Sequence, residues 1–487
     1  MRLSKSKYCL GVQCPKALHL HFFKPELAPP IDPAQQRLFD QGHLVGIAAR
    51  EQYPGGVLIA HDHQQSEAAL EATQTALARN VPAIFEGAFL FQHTLVRVDV
   101  LRNNRDGTWD IIEVKSSTGV KDVHFPDMAI QRFVLEGTSL KIGRSILKYI
   151  NNQCVHPYLE DLFSEEDCTA KVQAELPATA DRVGTLLKIL ANPESPTTSI
   201  GPQCNTPYAC AFKEHCWKAI PEHSVFELGG VSDKIKFELY QQGILKIADI
   251  PELRKIPRVR ANQLEAVRQG KPVLDKKGLG EFLGEIKYPI YFFDFETINS
   301  AIPVFPGTRP FEQTPFQFSC HIQSRPGGEC EWKDFLAADN QDPRTALTDK
   351  MLSVLRSEGT IFSYYAEFEK GVIRHLAQTQ TAQGNELRAL LARFMDLRDA
   401  FTKFYFHPNF HGSTSIKDTL PVVVPGMSYD KLLVRNGAMA QVAYVQMFDE
   451  ALAEDERASI RSGLVSYCKQ DTWAMVEILR RLFEIAH

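Results

Sequence analysis

The sequence predicts an α/β protein of two separately folded units joined by a small helical connector, and three observations predict it. The chain has 487 residues and is 44% hydrophobic, enough to bury two substantial cores. Apolar strand-like runs alternate with helical patterns over about the first 220 residues, and a second such alternation begins at Tyr288. Between them, from Ser232 to Lys277, the texture changes to short helical patterns punctuated by Gly243, Pro251, Pro257 and Gly270. The boundaries that follow are 1–222, 223–285 and 286–487. Neither half shows an internal repeat or a low-complexity tract.

In the first unit PAIFEGAFLF, TLVRVDVLR, WDIIEVKSS and GRSILKYI read as strands, and AAREQY and MAIQRFVLEG as helices. NNRDGTW carries Asn, Asp and Gly at its centre and reads as a hairpin turn. That hairpin brings Asp99 and Glu113 onto neighbouring strands. Glu113 and Lys115 are one residue apart, so they share a strand face while Val114 points the other way. Metal-dependent cleavage of a phosphodiester needs carboxylates to hold a divalent cation and a cationic group to steady the attacking water. Asp99, Glu113 and Lys115 supply that set. Glu-x-Lys on a strand also fits an ordinary exposed ion pair; the ordered combination of Asp, hairpin, Glu-x-Lys and a helical Gln131 is much rarer.

This combination resembles the PD-(D/E)XK superfamily, in particular its RecB-like branch. The resemblance implies a nuclease domain in which Asp99 and Glu113 bind Mg2+ or Mn2+ and Gln131 is a further signature residue. The branch's usual Tyr four residues later is Leu135 here, which weakens one substrate contact. His43 in QGHLVG stands where such proteins often place an additional metal-binding His.

Ten cysteines in a chain read as cytoplasmic argue against a disulfide framework. Cys204, Cys210 and Cys216, separated by five residues each, follow the nuclease core, and Cys14 precedes it. The spacing is not that of a zinc finger. One upstream and three downstream cysteines resemble the iron–sulfur nucleases of the AddB and CRISPR-adaptation type, which implies a 4Fe-4S cluster stapling the two ends of the domain. Zinc is the alternative to iron, Cys9 a rival for Cys14, and four buried small hydrophobes the bland reading. Cys154, Cys168, Cys320, Cys330 and Cys468 show no partner spacing and default to packing.

The stretch from Ser232 to Lys277 holds eleven Lys and Arg against six Asp and Glu. With its GI turn in QQGILKIADIPELRKI it resembles a helix-hairpin-helix connector able to grip a phosphate backbone, and it equally fits a solvated linker.

In the last unit PIYFFDFE, FQFSCHIQS and TIFSYY read as strands, TALTDKMLSVLRSEG as a helix, and helices continue to the end. Asp294 and Glu296 alternate on an otherwise apolar strand, where two carboxylates are costly unless a cation neutralises them. Tyr467 and Asp471, four apart on a helical pattern, share one face. Together they resemble the DEDD exonucleases of the ribonuclease-H-like fold, in the subclass whose last motif is Tyr-x-x-x-Asp. That resemblance implies two divalent cations between carboxylates, Tyr467 orienting the attacking water, and digestion from a 3′ end. The family's middle motif ends in Phe-Asp; here YYAEFEKG gives Phe368-Glu369, so Glu369 is the fourth carboxylate, with Glu367 as the weaker candidate. Asp396 matches a strand-end Asp that is more often structural, and SIKD near Ser415 resembles the family's helix-start segment.

The order of the modules, KSKYCLGVQCPKALHLHFF and FHGSTSIKDTLPVVVPGMSYDKLLVRNGAMA resemble an uncharacterised bacterial family, domain-of-unknown-function family 2779, over nearly the whole chain. The expectation is a metal-dependent nuclease acting on DNA with single-stranded ends, in repair or in defence against foreign DNA. RNA is the alternative substrate, and a nucleic-acid-binding scaffold with decayed centres the alternative to an enzyme. A net charge of −5 and a pI near 6.3 exclude a globally basic nucleic-acid binder, so contacts must come from local patches. No signal sequence or membrane-length apolar stretch is legible, which predicts a cytoplasmic protein with no membrane partner.

Overall fold

The computed structural model describes residues 1–62, 64–251 and 261–487. It is mixed α/β and divides into two compact units. One holds Met1–Ala219 with Ser300–Val304 and Arg309–Phe311; the other holds Ile220–Asn299, Phe305–Thr308 and Glu312–His487. The expected connector at 223–285 falls within the second unit. Its segment 252–260, with Pro257 and the end of the GI-turn pattern, lies outside the described residues. No described helix is long and apolar enough to cross a membrane.

The first unit is built on a seven-stranded sheet. Ala83–Phe91 pairs antiparallel with Thr94–Asn103, which pairs antiparallel with Trp109–Lys115 through the expected hairpin, with Val100 opposite Ile112. Asn104 N–H donates to the Thr108 carbonyl at 3.0 Å, and Gly107 takes φ +88°, a conformation only glycine adopts freely. Trp109–Lys115 then runs parallel to Ile142–Ile150 by way of the helix His124–Gly137. This βαβ step buries Met128, Ala129, Ile130, Val134 and Leu135. Leu135, which replaces the usual Tyr, is therefore part of the core. A short N-terminal strand adds Leu3 and Ser4 beside Thr94 and Leu95. Ser4 then caps the helix Lys5–Gln13 by accepting from Lys7 N–H.

The second unit carries a five-stranded sheet in the order Cys330–Leu336, Thr314–Gln323, Ile290–Ile298, Thr360–Ser363, Phe394–Asp396. The first two pairings are antiparallel and the last two parallel. Ile290–Ile298 is thus the central strand, as its apolar run predicts, and Asp294 and Glu296 sit in mid-sheet. The helix Glu454–Ala486 crosses this sheet and is pinned by side chains. Thr472 Oγ1 is 2.8 Å from both Ser319 Oγ and His321 Nδ1, and Gln317 Nε2 donates to the Leu464 carbonyl at 3.0 Å. Those bonds fix the helical register, and with it the direction of Asp471.

Candidate functional site

Each unit gathers acidic side chains at one place. In the first, Asp99, Glu113, Lys115 and His43 line one pocket of about 290 Å³, with Lys5, Arg50 and Glu86. Glu113 is only 1% exposed and is heavily tied. Lys115 Nζ donates to its Oε1 at 2.6 Å, Lys5 Nζ to Oε1 and Oε2 at 3.0 and 3.1 Å, and Gln131 Nε2 to Oε2 at 2.6 Å. Asp99 Oδ2 accepts from Val114 N–H at 2.8 Å, and Asp127 Oδ2 accepts from Lys115 at 2.6 Å. Lys5 Nζ also lies 3.7 Å from Asp99 and 4.0 Å from Asp127.

The electrostatics follow from this arrangement. Burial opposes ionisation of Glu113, but the ammonium groups of Lys115 and Lys5 hold it well below the usual carboxylate range. Burial and then the Glu113 charge push Asp99 up to about 7. Lys5, which opens the KSKYCLG segment but was not read as a site residue, stands amid three carboxylates. Asp127, on the helix that carries Gln131, was likewise missed. Both are brought in by tertiary contacts rather than by a local pattern: Leu3 and Ser4 add to the edge of the Asp99 strand and aim the following Lys5 at Glu113.

The thiols converge as well. Cys14, Cys204, Cys210 and Cys216 line one small pocket together with Lys16, Phe212 and Lys213. Cys14 ends the helix Lys5–Gln13, and Pro15 opens the next, Pro15–Phe23. Gln13 Nε2 donates to the carbonyls of Gln203 and Tyr208, both at 2.7 Å, which ties the Cys14 turn to the Cys204–Cys210 loop. Burial raises the Cys210 and Cys216 thiols, and the neighbouring thiols raise them further. Four thiolates here are a donor set for a soft metal. Cys9 is elsewhere, its Sγ 3.9 Å from Asp127 Oδ1.

In the second unit Asp294, Glu296, Glu369, Tyr467 and Asp471 line one pocket of about 300 Å³, with Lys417 as the single lysine or arginine in its lining. Burial, then mutual repulsion, drives Asp294, Glu296 and Glu369 well above the carboxylate range. Asp471 rises to about 6, burial being partly offset by the Tyr429 and Tyr467 hydroxyls and Lys417. Glu369 is buried, and its Oε2 has no hydrogen-bond partner among the described residues. Glu367 is exposed and pairs with Lys370 and Arg374. Asp396 accepts from the Tyr365 and Arg398 backbone N–H groups, which fixes the turn after its strand.

Cys468 is fully buried, as its expected packing role requires, and it also borders the carboxylates. Its Sγ lies 3.8 Å from Asp294 Oδ2, and Asp294, Glu296 and Cys468 each present a ligand atom within 4.8 Å of the others. The signal was its place beside Tyr467 on a buried helix face. Lys417 and Gln441 were not singled out either, although Lys417 lies in the quoted SIKD. Its ammonium sits 5.6 Å and 5.8 Å from the ring centres of Tyr429 and Tyr467.

The family described as Domain of unknown function (DUF2779) matches residues 291–415, which run from the Asp294 strand to the start of the Lys417 helix. The chain is 27% identical over 224 residues to "Uncharacterized protein UU173" of Ureaplasma parvum, covering 41% of this chain and 32% of that protein. It is 26% identical over 231 residues to "Uncharacterized protein MG366 homolog" of Mycoplasma pneumoniae, covering 42% and 34%. The chain thus spans about a third of the length of the curated relatives it matches. A solved structure described as "Crystal structure of SSO0001" is similar at 16% identity with a TM-score of 0.23, over 45% of this chain and 87% of that one. The part of this chain that matches a described family is therefore the one that carries Asp294, Glu296 and Glu369.

Proposed function

We propose that this protein is a metal-dependent nuclease acting on DNA, with a 3′–5′ exonuclease centre in its second unit and a RecB-like centre in its first. One observation carries the reading: four carboxylates, Glu296, Glu369 and Asp471 buried and Asp294 half-buried, converge on one pocket with Tyr467 beside them. Burying that much negative charge is costly unless a cation balances it, and the unpartnered Glu369 oxygen fits a ligand position. When bound, Mg2+ or Mn2+ supplies Lewis-acid activation of water and neutralises charge on the phosphate. The carboxylates would hold the cations, the Tyr467 hydroxyl would orient the attacking water, and Lys417 would offer positive charge to the scissile phosphate. Glu369, one methylene longer than the Asp of the motif it resembles, lies in the first turn of the helix Glu367–Thr379.

In the first centre Asp99 and Glu113 are the proposed cation ligands, with His43 as an additional one. Lys115 steadies the water and Gln131 fixes the Glu113 carboxylate. The four cysteines suit a 4Fe-4S cluster, with zinc as the alternative, and their segments flank the sheet, so the group would staple the ends of the unit. A second reading, a scaffold whose first centre is decayed, is favoured by Lys5, which already neutralises Glu113.

The test is incubation of purified full-length protein with end-labelled single- and double-stranded DNA and RNA in Mg2+ or Mn2+. Progressive shortening from the 3′ end, lost in Asp294→Ala, is expected. Cleavage by the first centre, seen with Asp294→Ala in place, should vanish with Asp99→Ala or Glu113→Ala. If 3′ shortening is absent in wild type but appears in Glu369→Asp, the second unit is a decayed exonuclease.

A further inference from the structure

We propose that His223, Glu227 and His411 form a third metal site, a zinc staple independent of the nuclease reading. Each residue presents one ligand atom within 4.8 Å of the others. His411 Nδ1 lies 2.9 Å from Glu227 Oε2, and His223 Nδ1 lies 3.7 Å from the same oxygen. The rings stack nearly parallel, at 12° with centroids 5.2 Å apart, so both imidazoles converge on one carboxylate oxygen.

The contact between His223 and Glu227 is too long for a hydrogen bond. His223 Nδ1 is buried, and no other hydrogen-bond partner reaches it among the described residues. As a donor it is unsatisfied; as a lone pair it faces a carboxylate oxygen across a gap. A cation bound by both atoms removes either penalty.

The frame around the three side chains is rigid. Glu227 Oε1 faces Ser224 N–H in a capping box, which leaves Oε2 to the histidines. Gln263 Nε2 donates to the Glu227 carbonyl at 2.9 Å, and Gln263 Oε1 accepts from Gly229 N–H at 3.1 Å. Gly412, at φ +75°, lets the His411 loop approach so closely that a Cβ there would sit 1.7 Å from the Glu227 carbonyl oxygen. His223 and His411 are themselves held at φ +55° and +47°, a region most side chains avoid.

Two imidazoles and a carboxylate are a donor set that suits Zn2+ and leaves a fourth position open. Glu222, whose Oε1 is 3.8 Å from His411 Nε2, stands at the outer rim where it can orient that ring. The ion would lock the start of the second unit to the loop that leads into Ser415 and the helix Ile416–Val423, which carries Lys417.

The experiment is zinc titration of the full-length protein, wild type against His411→Asn and Glu227→Gln, by metal analysis and thermal melting. Asn tolerates the left-handed backbone of His411, and Gln keeps the capping oxygen of Glu227. The wild type should hold one more zinc than either variant, and zinc should raise its melting temperature but not theirs. Equal stoichiometry with equal zinc-induced shifts would overturn the site. Cobalt(II) added to wild type provides a readout that needs no variant. Cobalt at this site should give visible ligand-field bands without the near-ultraviolet sulfur-to-metal charge transfer that the cysteine pocket would add. Cobalt spectra showing only thiolate ligation would also overturn it.

Discussion

The two acidic centres solve the same electrostatic problem in opposite ways. In the first, Glu113 is met by Lys5, Lys115 and Gln131, and Lys5 also stands near Asp99 and Asp127. In the second, Asp294, Glu296, Glu369 and Asp471 face one another with Lys417 as the single lysine or arginine in the lining. The first sets two ammonium groups against three carboxylates; the second sets one lysine against four buried or half-buried carboxylates. The difference teaches that similar motif chemistry does not imply similar dependence on a metal. A lysine placed by the N-terminal strand touches three carboxylates in one unit, whereas Lys417 is the single lysine or arginine among the described lining residues of the other pocket.

The comparison breaks first at the level of catalysis. On the proposed reading Asp294→Ala should reduce 3′-end digestion on the order of 10³-fold, because it removes a ligand of the cation that offsets the negative charge of the transition state. A rate within a few-fold of wild type would remove Asp294 from the chemistry. On the proposed reading Tyr467→Phe should cost about 10²-fold while leaving metal binding nearly unchanged, since the hydroxyl lost bonds Asp471 and orients water but is not a proposed cation ligand. Equal loss of metal affinity and rate would instead make Tyr467 a support for Asp471.

Lys5→Met sharpens the contrast in stability. Deleting one of two ammonium groups on a buried carboxylate should lower metal-free stability by about 1–3 kcal/mol. Divalent metal should restore it, because the vacated position now accepts a cation. Thermal melting with and without Mn2+ checks this, and a variant that melts like wild type and ignores Mn2+ would show that Lys5 is not a cation surrogate.

Much of this contrast was legible in the sequence, and the illegible part has a common cause. Asp99, Glu113, Asp294, Glu296 and the Tyr467 to Asp471 pair declare themselves by local spacing, since strand alternation and a helical turn fix which side chains share a face. The hairpin at Asn104–Thr108 and the central place of the Asp294 strand were readable for the same reason. Lys5 and Asp127 reach their site through tertiary contacts, while Lys417 and Cys468 had only a weak local signal, the SIKD segment and the place beside Tyr467. The strand Cys330–Leu336, CEWKDFL, is charge-rich and lies at the sheet edge, so its pattern resembles a loop. Glu227 and His411, which form a hydrogen-bonded pair, are 184 residues apart, and no motif joins them to each other.

An effect of similar size to that of Lys5→Met concerns the frame of the second centre. Burial, and then Lys469, lower His321 to about 4, and its ring bonds Thr472 beside Asp471. A histidine with a lowered folded value contributes stability that is present above its unfolded value near 6.5 and lost as pH falls through about 4. The loss should be on the order of 2–3 kcal/mol between pH 7 and pH 4. His321→Gln should flatten that part of the acid melting curve; an unchanged slope would mean that the histidine does not govern it.

The most direct test of the contrast between the centres is anomalous scattering from crystals of metal-free full-length protein soaked in Mn2+. Manganese should appear in the second centre, between Asp294, Glu296 and Asp471 and within reach of Glu369, at concentrations that leave the first centre held by Lys5. Manganese in the first centre with the second empty would contradict the account.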